Sequence, residues 1–160
     1  MRIKLLVFAG SIIAGTAGTA NASNVTSLDP QSIVLALQNA GYKAVLGKMD
    51  DGEPVIDTAS DSNPVRIVMS DCTDHKSCGT SEFLGVWDCM GAVDKCKKVA
   101  SDMNGEESPV HVLLINDGKT AVTYSYLLYD DAGISEKLFI RNFTSFSYYN
   151  SQFNASASKK

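Results

Sequence analysis

The sequence is short of the parts that chemistry needs. It holds two histidines, His75 and His111, and one tryptophan, Trp87. No G-x-S-x-G nucleophile elbow, no C-x-x-C redox pair and no glycine-rich phosphate loop occurs anywhere. The acidic pairs Asp50-Asp51 and Asp130-Asp131 lack the alternating D-x-D-x-D spacing that wraps calcium, and turn chemistry accounts for them. Basic residues are also scarce, 14 against 18 acidic, and only Lys95, Lys97 and Lys98 cluster. Nucleic acid and anionic lipid are held through Lys and Arg on phosphate, so neither is an expected partner. There is no internal repeat and no long linker.

Long apolar runs are missing too. The longest, Leu5 to Gly18, has fourteen residues, too few to span a bilayer as a helix, which needs about 20. It follows Arg2 and Lys4 and precedes Ala20-Asn21-Ala22, the three-part layout of a secretory signal peptide cut before Ser23. Residues 1–22 are therefore expected to be removed, leaving no stable membrane anchor and an exported chain. Losing Arg2 and Lys4 takes the formal net charge from −4 to −6. The remaining 138 residues suffice for one hydrophobic core.

What the chain does have is concentrated between Pro64 and Val99, which holds Trp87 and all four cysteines. Val65, Ile67 and Met69 alternate with Arg66, Val68 and Ser70 up to Cys72. After TDHKS, Cys78 opens a second extended run carrying Phe83, Val86 and Trp87. Two such runs about a short polar loop predict an antiparallel hairpin, with the flanking cysteines close enough to bridge. Four cysteines allow three pairings. Export and the even number favour two disulfides, Cys72–Cys78 across the hairpin and Cys89–Cys96. The second pairing requires Cys89 to lie outside the following helix and fold back, because seven helical residues span about 10 Å. The alternative for Cys72, His75 and Cys78, a C-x2-H-x2-C zinc site, lacks a fourth ligand, and oxidised thiols cannot serve; no metal and no cofactor is expected.

Around this hairpin the reading in chain order is a polar lead-in at 23–27, then a helix opened by Asp29-Pro30 and stopped at Gly41. Its stripe is Ile33, Val34, Ala36, Leu37 and Ala40. Strands Tyr42 to Lys48 and Pro54 to Ala59 follow about Asp51-Gly52, and the turn at Asp61-Ser62-Asn63-Pro64 leads into the cysteine hairpin. A second helix is predicted from Gly91 to Asn104. A second hairpin joins Val110 to Ile115 with Lys119 to Tyr129 about Asn116-Asp117-Gly118. The last helix runs from an N-cap at Ser135 to about Phe153, with Leu138, Phe139, Ile140, Phe143, Phe146, Tyr149 and Phe153 on one face. Residues 154–160 are small and polar, and a disordered tail is expected. The order α-β-β-β-β-α-β-β-α predicts an α+β fold, a mainly antiparallel sheet packed with three helices.

Four segments in this order resemble the YbjN domain family, described as proposed regulators of bacterial sensory transduction. LDPQSIVLALQNAGYKAVL resembles the opening helix with its AGY exit, and MDDGEPVI the acidic turn. VRIVMSDCTDHKSCGTSEFLGVW is similar to the cysteine hairpin of exported members, and DDAGISEKLFIRNFTSF to the closing turn and helix. The resemblance implies one domain over 28–153, with a fold similar to type III secretion chaperones and no enzyme activity. It also implies an exported domain, periplasmic or secreted from a Gram-negative bacterium, that binds a protein or peptide in a sensory or chaperone-like role. Cys89 and Cys96 look additional to the family's hairpin pair, and VASDMNGEESPVHVLLI departs from its usual second helix and strand.

Candidate contact residues are Phe83, Tyr124 and Tyr126, placed on a sheet face that an antiparallel sheet can leave open. Homo-oligomerisation stays open. The competing reading is a periplasmic enzyme in which His111 or His75 meets Asp71, Asp74 or Asp117.

Overall fold

The computed structural model describes residues 24–105, 107–129 and 132–158. The expected signal peptide, Asp130-Asp131 and the last two residues lie outside them. Local sequence explains most elements. In α1 (Pro30–Asn39) the Asp29 carboxylate accepts from the Gln31 amide at 3.2 Å and Pro30 takes the first helical position. Gly41, at φ 89°, lets the chain leave the helix as the Tyr42 amide bonds Leu37 O at 2.9 Å. Ile33, Val34, Ala36 and Leu37 form its buried stripe.

Six strands follow: β2 (Ala44–Lys48), β3 (Pro54–Ser60), β4 (Asn63–Thr73), β5 (Ser77–Asp88), β6 (His111–Ile115) and β7 (Thr120–Leu128). They form one antiparallel sheet in the order β2-β3-β4-β5-β7-β6. The β3–β4 turn is a two-residue loop in which Asp61 and Ser62 both have positive φ, the twist that suits a tight hairpin.

Residues two apart share a face of a strand. Ile56, Val65, Ile67, Met69 and Phe83 point to one side and build the main core with α1 and with α3 (Glu136–Ser158). On that same side, Val112 and Ala121 join Cys96 and Ala100 of α2 (Val93–Gly105) and Phe153 and Ala157 of α3 in a smaller cluster. All three helices thus lie on one face of the sheet, as the α+β reading expects. Asn150 of α3 is driven into this layer: its Oδ1 accepts from Trp87 Nε1 at 2.9 Å and from Thr123 Oγ1 at 2.6 Å. Gly85 makes room for it, since a Cβ there would collide with Asn150.

Two expectations at the chain's ends are corrected. The supposed polar lead-in at 23–27 is anchored from Asn24 onward: β1 (Asn24–Val25) pairs with β8 (Ile134–Ser135), and Val25 and Ser27 are both buried. Val25 supplies the apolar contact, while Ser27 Oγ donates to Cys78 O at 2.5 Å and Ser27 O accepts from the Cys78 amide at 3.1 Å. The expected tail at 154–160 is helical through Ser158, because Ala157 is buried and Asn154 Nδ2 bonds Asn63 Oδ1 at 3.0 Å. On the same helix Leu138, expected on the packed face, is exposed. Among the described residues no helix is long and apolar enough to cross a membrane.

Candidate binding surface

With the helices on one side, the other face of the sheet is uncovered. A single register row crosses all six strands on it: Val45, Asp57, Arg66, Leu84, Tyr124 and His111 are successive cross-strand partners. Val68, Glu82, Val86, Val122, Tyr126, Leu128 and Leu113 fill the rows beside it. Val45, Val86, Leu113, Tyr126 and Leu128 are well exposed, Leu128 by 71%. Large exposed apolar side chains gathered on one face mark a contact surface, whereas scattered ones carry no such meaning. A shallow cavity of about 440 Å³ opens on it, lined by Asp57, Arg66, Val68, Leu84 and Val86 among others.

The polar groups of this face are mostly paired within it. Arg66 Nε meets Asp57 Oδ1 at 2.8 Å, an exposed pair worth about 0–1 kcal/mol. Burial against the sheet raises the Glu82 carboxyl above the usual range, and a hydrogen bond from Tyr126 pulls it back. The Glu82 charge in turn holds the Tyr126 phenol above the ordinary tyrosine range. The Tyr124 ring sits between the other two, 5.8 Å from Tyr126 and 5.7 Å from His111.

Of the sequence-derived contacts, Tyr126 stands on this face and Tyr124 is half-buried within it. Phe83 is not there. It is 1% exposed and touches Phe139, Phe143 and Phe146 in the core, because it lies one residue out of phase with Glu82 and Leu84. The sequence reading missed Glu82, Leu84 and Val68. Their signal was the alternation along β4 and β5, but alternation does not say which face the helices will cover.

Both cysteine pairs are bridged as favoured. Cys72 and Cys78 are direct cross-strand partners. Asp71, at φ 55°, precedes Cys72, and Cys78 is buried on the core side although Ser70 and Thr80, two residues earlier and later, bond each other on the exposed side. Cys89 lies beyond the end of β5 and folds back to Cys96 on the buried side of α2, Cα to Cα 6.2 Å. Such bridges suit an oxidising compartment. The C-x2-H-x2-C residues do not form a metal site: the sulfurs of Cys72 and Cys78 are joined to each other, and His75 Nδ1 instead meets Glu53 Oε1 at 3.0 Å. Glu53, rather than Asp71 or Asp74, is thus the carboxylate beside His75, while His111 faces Tyr124.

No protein-family model matches the chain, and no curated protein matches it. Among solved structures it is similar to an uncharacterized protein from Methanothermobacter thermautotrophicus, with a TM-score of 0.60 at 10% identity over 79% of this chain and 94% of that one. It is also similar to YbjN, a proposed transcription regulator from E. coli, with a TM-score of 0.53 at 15% identity over 79% of this chain and 91% of that one. At these identities the likeness is one of architecture, and the fold is YbjN-like.

Proposed function

We propose that this protein is an exported, non-enzymatic binding domain of the cell envelope, with a regulatory or chaperone-like role, whose open sheet face docks a protein partner. The observation that carries this reading is the asymmetry of the sheet. Three helices cover one side, and the other presents an apolar and aromatic surface from Val45 to Leu113, crossed by the Asp57–Arg66 pair. The fitting partner is a flat, largely apolar protein surface with a cation set against the Glu82 carboxylate. Aromatics such as Tyr124 and Tyr126 supply contact area at low entropic cost, the pattern of binding surfaces. Export is supported by the two disulfides and by the leader-like first 22 residues. A regulatory role is supported by the likeness to YbjN.

The test is a capture experiment from envelope extract with the oxidised protein and a Leu84→Lys/Tyr126→Glu variant. Far-UV circular dichroism should be unchanged, and partners held by the wild type should be lost from the variant. Equal capture by both proteins would refute the open face as the docking surface.

A further inference from the structure

The two edges of the sheet are finished differently. A free strand edge presents unpaired N–H and C=O groups to any extended chain. At β6, Asn104 near the end of α2 occupies those of the central Val112: its Oδ1 accepts from the Val112 amide and its Nδ2 donates to Val112 O, both at 2.8 Å. One carboxamide thus stands in for a neighbouring strand.

At β2 the edge is open. The Met49 amide bonds Glu53 O at 2.9 Å, which sets the phase of the β2–β3 ladder. Two and four residues back, Gly47 with Val55 and Val45 with Asp57 take the hydrogen-bonded positions, so Ala44, Leu46 and Lys48 turn their backbone groups away from β3. Gln38 Nε2 donates to Ala44 O at 3.1 Å. Among the described residues, no hydrogen bond reaches the outward backbone groups of Leu46 and Lys48.

Beside this edge, on the helix side, the packing leaves a cavity of about 510 Å³ whose walls include Leu28, Pro30, Leu46 and Pro54, with Lys48 and Lys76. Leu46 is 40% exposed there although its partner Ile56 is fully buried. Of the other charges at the cavity, Asp29 is committed to capping α1 and His75 to Glu53. Neither lysine forms an ion pair among the described residues. An acidic chain therefore carries an apolar, cation-flanked slot along a strand with unused hydrogen-bonding groups.

We propose that β2 takes up an extended, acidic peptide segment as a seventh strand. The peptide backbone bonds Leu46 and Lys48, an apolar side chain fills the cavity, and a carboxylate lies against Lys48 and Lys76. Backbone pairing supplies affinity in such strand addition, and the pocket and charges supply selectivity. This edge is separate from the open face, so either surface can fail its test without the other.

The probe is a blocked octapeptide of alternating valine and threonine in which two aspartates replace one end, added to the ¹⁵N-labelled oxidised protein. Exchange of the Leu46 and Lys48 amides should slow at least tenfold, with the Val112 amide unchanged. Leu46→Pro deletes an N–H that bonds nothing inside the protein, so it should fold and lose at least tenfold in peptide affinity. Lys48→Glu/Lys76→Glu alters only side chains at the cavity and keeps the test open should the proline variant not fold. It should also lose at least tenfold, and should prefer the same peptide with lysines for aspartates. Unchanged affinity in a folded variant would overturn the proposal. So would perturbation centred on Leu84 and Tyr126, which would assign the peptide to the open face. Protection of Leu46 and Lys48 that grows with protein concentration in the absence of peptide would also overturn it, in favour of a second copy.

Discussion

Along β5, neighbouring residues live in different solvents. Ser81, Phe83 and Gly85 face the helices and are buried, whereas Glu82, Leu84 and Val86 face outward. The same contrast holds for two tyrosines of one strand and its exit. Tyr129, half-buried, bonds Ser81 Oγ at 2.9 Å and its phenol is pushed up to about 12 by burial. Tyr126, 62% exposed, has its phenol raised chiefly by the Glu82 charge. The covered face spends its residues on packing and hydrogen-bond satisfaction. The open face keeps bulky side chains in water, where they contribute little to stability and are available to a partner.

That contrast can be broken by substitution. The largest effect is expected for Phe83→Ala, which empties the centre of a cluster of four rings packed edge-to-face and tilted, and should cost about 4 kcal/mol in urea unfolding. If Phe83→Ala costs under about 1 kcal/mol, the covered face is not the core.

Gly85→Ala should follow at about 3 kcal/mol. The added methyl displaces Asn150, crowds Thr123 Oγ1 and leaves Trp87 Nε1 without its acceptor. A Gly85→Ala/Asn150→Ala double variant should recover part of the loss, since it removes the clash with Asn150 but neither the close approach to Thr123 Oγ1 nor the orphaned Trp87 donor. A double variant no better than the single one would break the link between these two residues.

Alkaline unfolding separates the two tyrosines. A folded phenol at about 12 against about 10 in the unfolded chain favours the protonated native state by about 2.7 kcal/mol at most. This contribution is complete below pH 10 and disappears as pH rises through 12. Tyr129→Phe should flatten the fall in stability over that window when melts are recorded from pH 8 to 12, and Tyr126→Phe should leave most of it in place.

The smallest stability effect belongs to the open face. Tyr126→Ala should change unfolding free energy by no more than about 0.5 kcal/mol, the range of surface substitutions, while weakening partner capture. A loss above about 1.5 kcal/mol would make Tyr126 a core residue and erase the distinction between the faces.

Much of this molecule is legible in its residues because the signals are local. Asp29-Pro30 and Gly41 bound the first helix, Asp51-Gly52 and Asp61-Ser62 turn the first hairpins, and short spacings bring Cys72 to Cys78 and Cys89 to Cys96. The misreadings are long-range. Nothing near Val25 says that Ile134 will pair with it, and nothing near Asn154 says that Asn63 will hold it, more than ninety residues away. The candidate site was visible only in part: of the three aromatics named, Tyr124 and Tyr126 lie on the open face and Phe83 lies in the core.

What the sequence determined by itself is where most of the strands, turns and helices between Asp29 and Leu128 lie, since capping, φ preference and apolar period act within a few residues. Alternation along β4 and β5 also dictates that there are two faces. Only the tertiary structure decided which of them α1, α2 and α3 would cover, and hence which aromatic is core and which is surface. It also decided that Asn104 caps Val112 on one edge of the sheet while Leu46 and Lys48 of β2 stay open. Helix placement of that kind is set by the fit of whole layers drawn from distant segments, a term that no local window of residues contains.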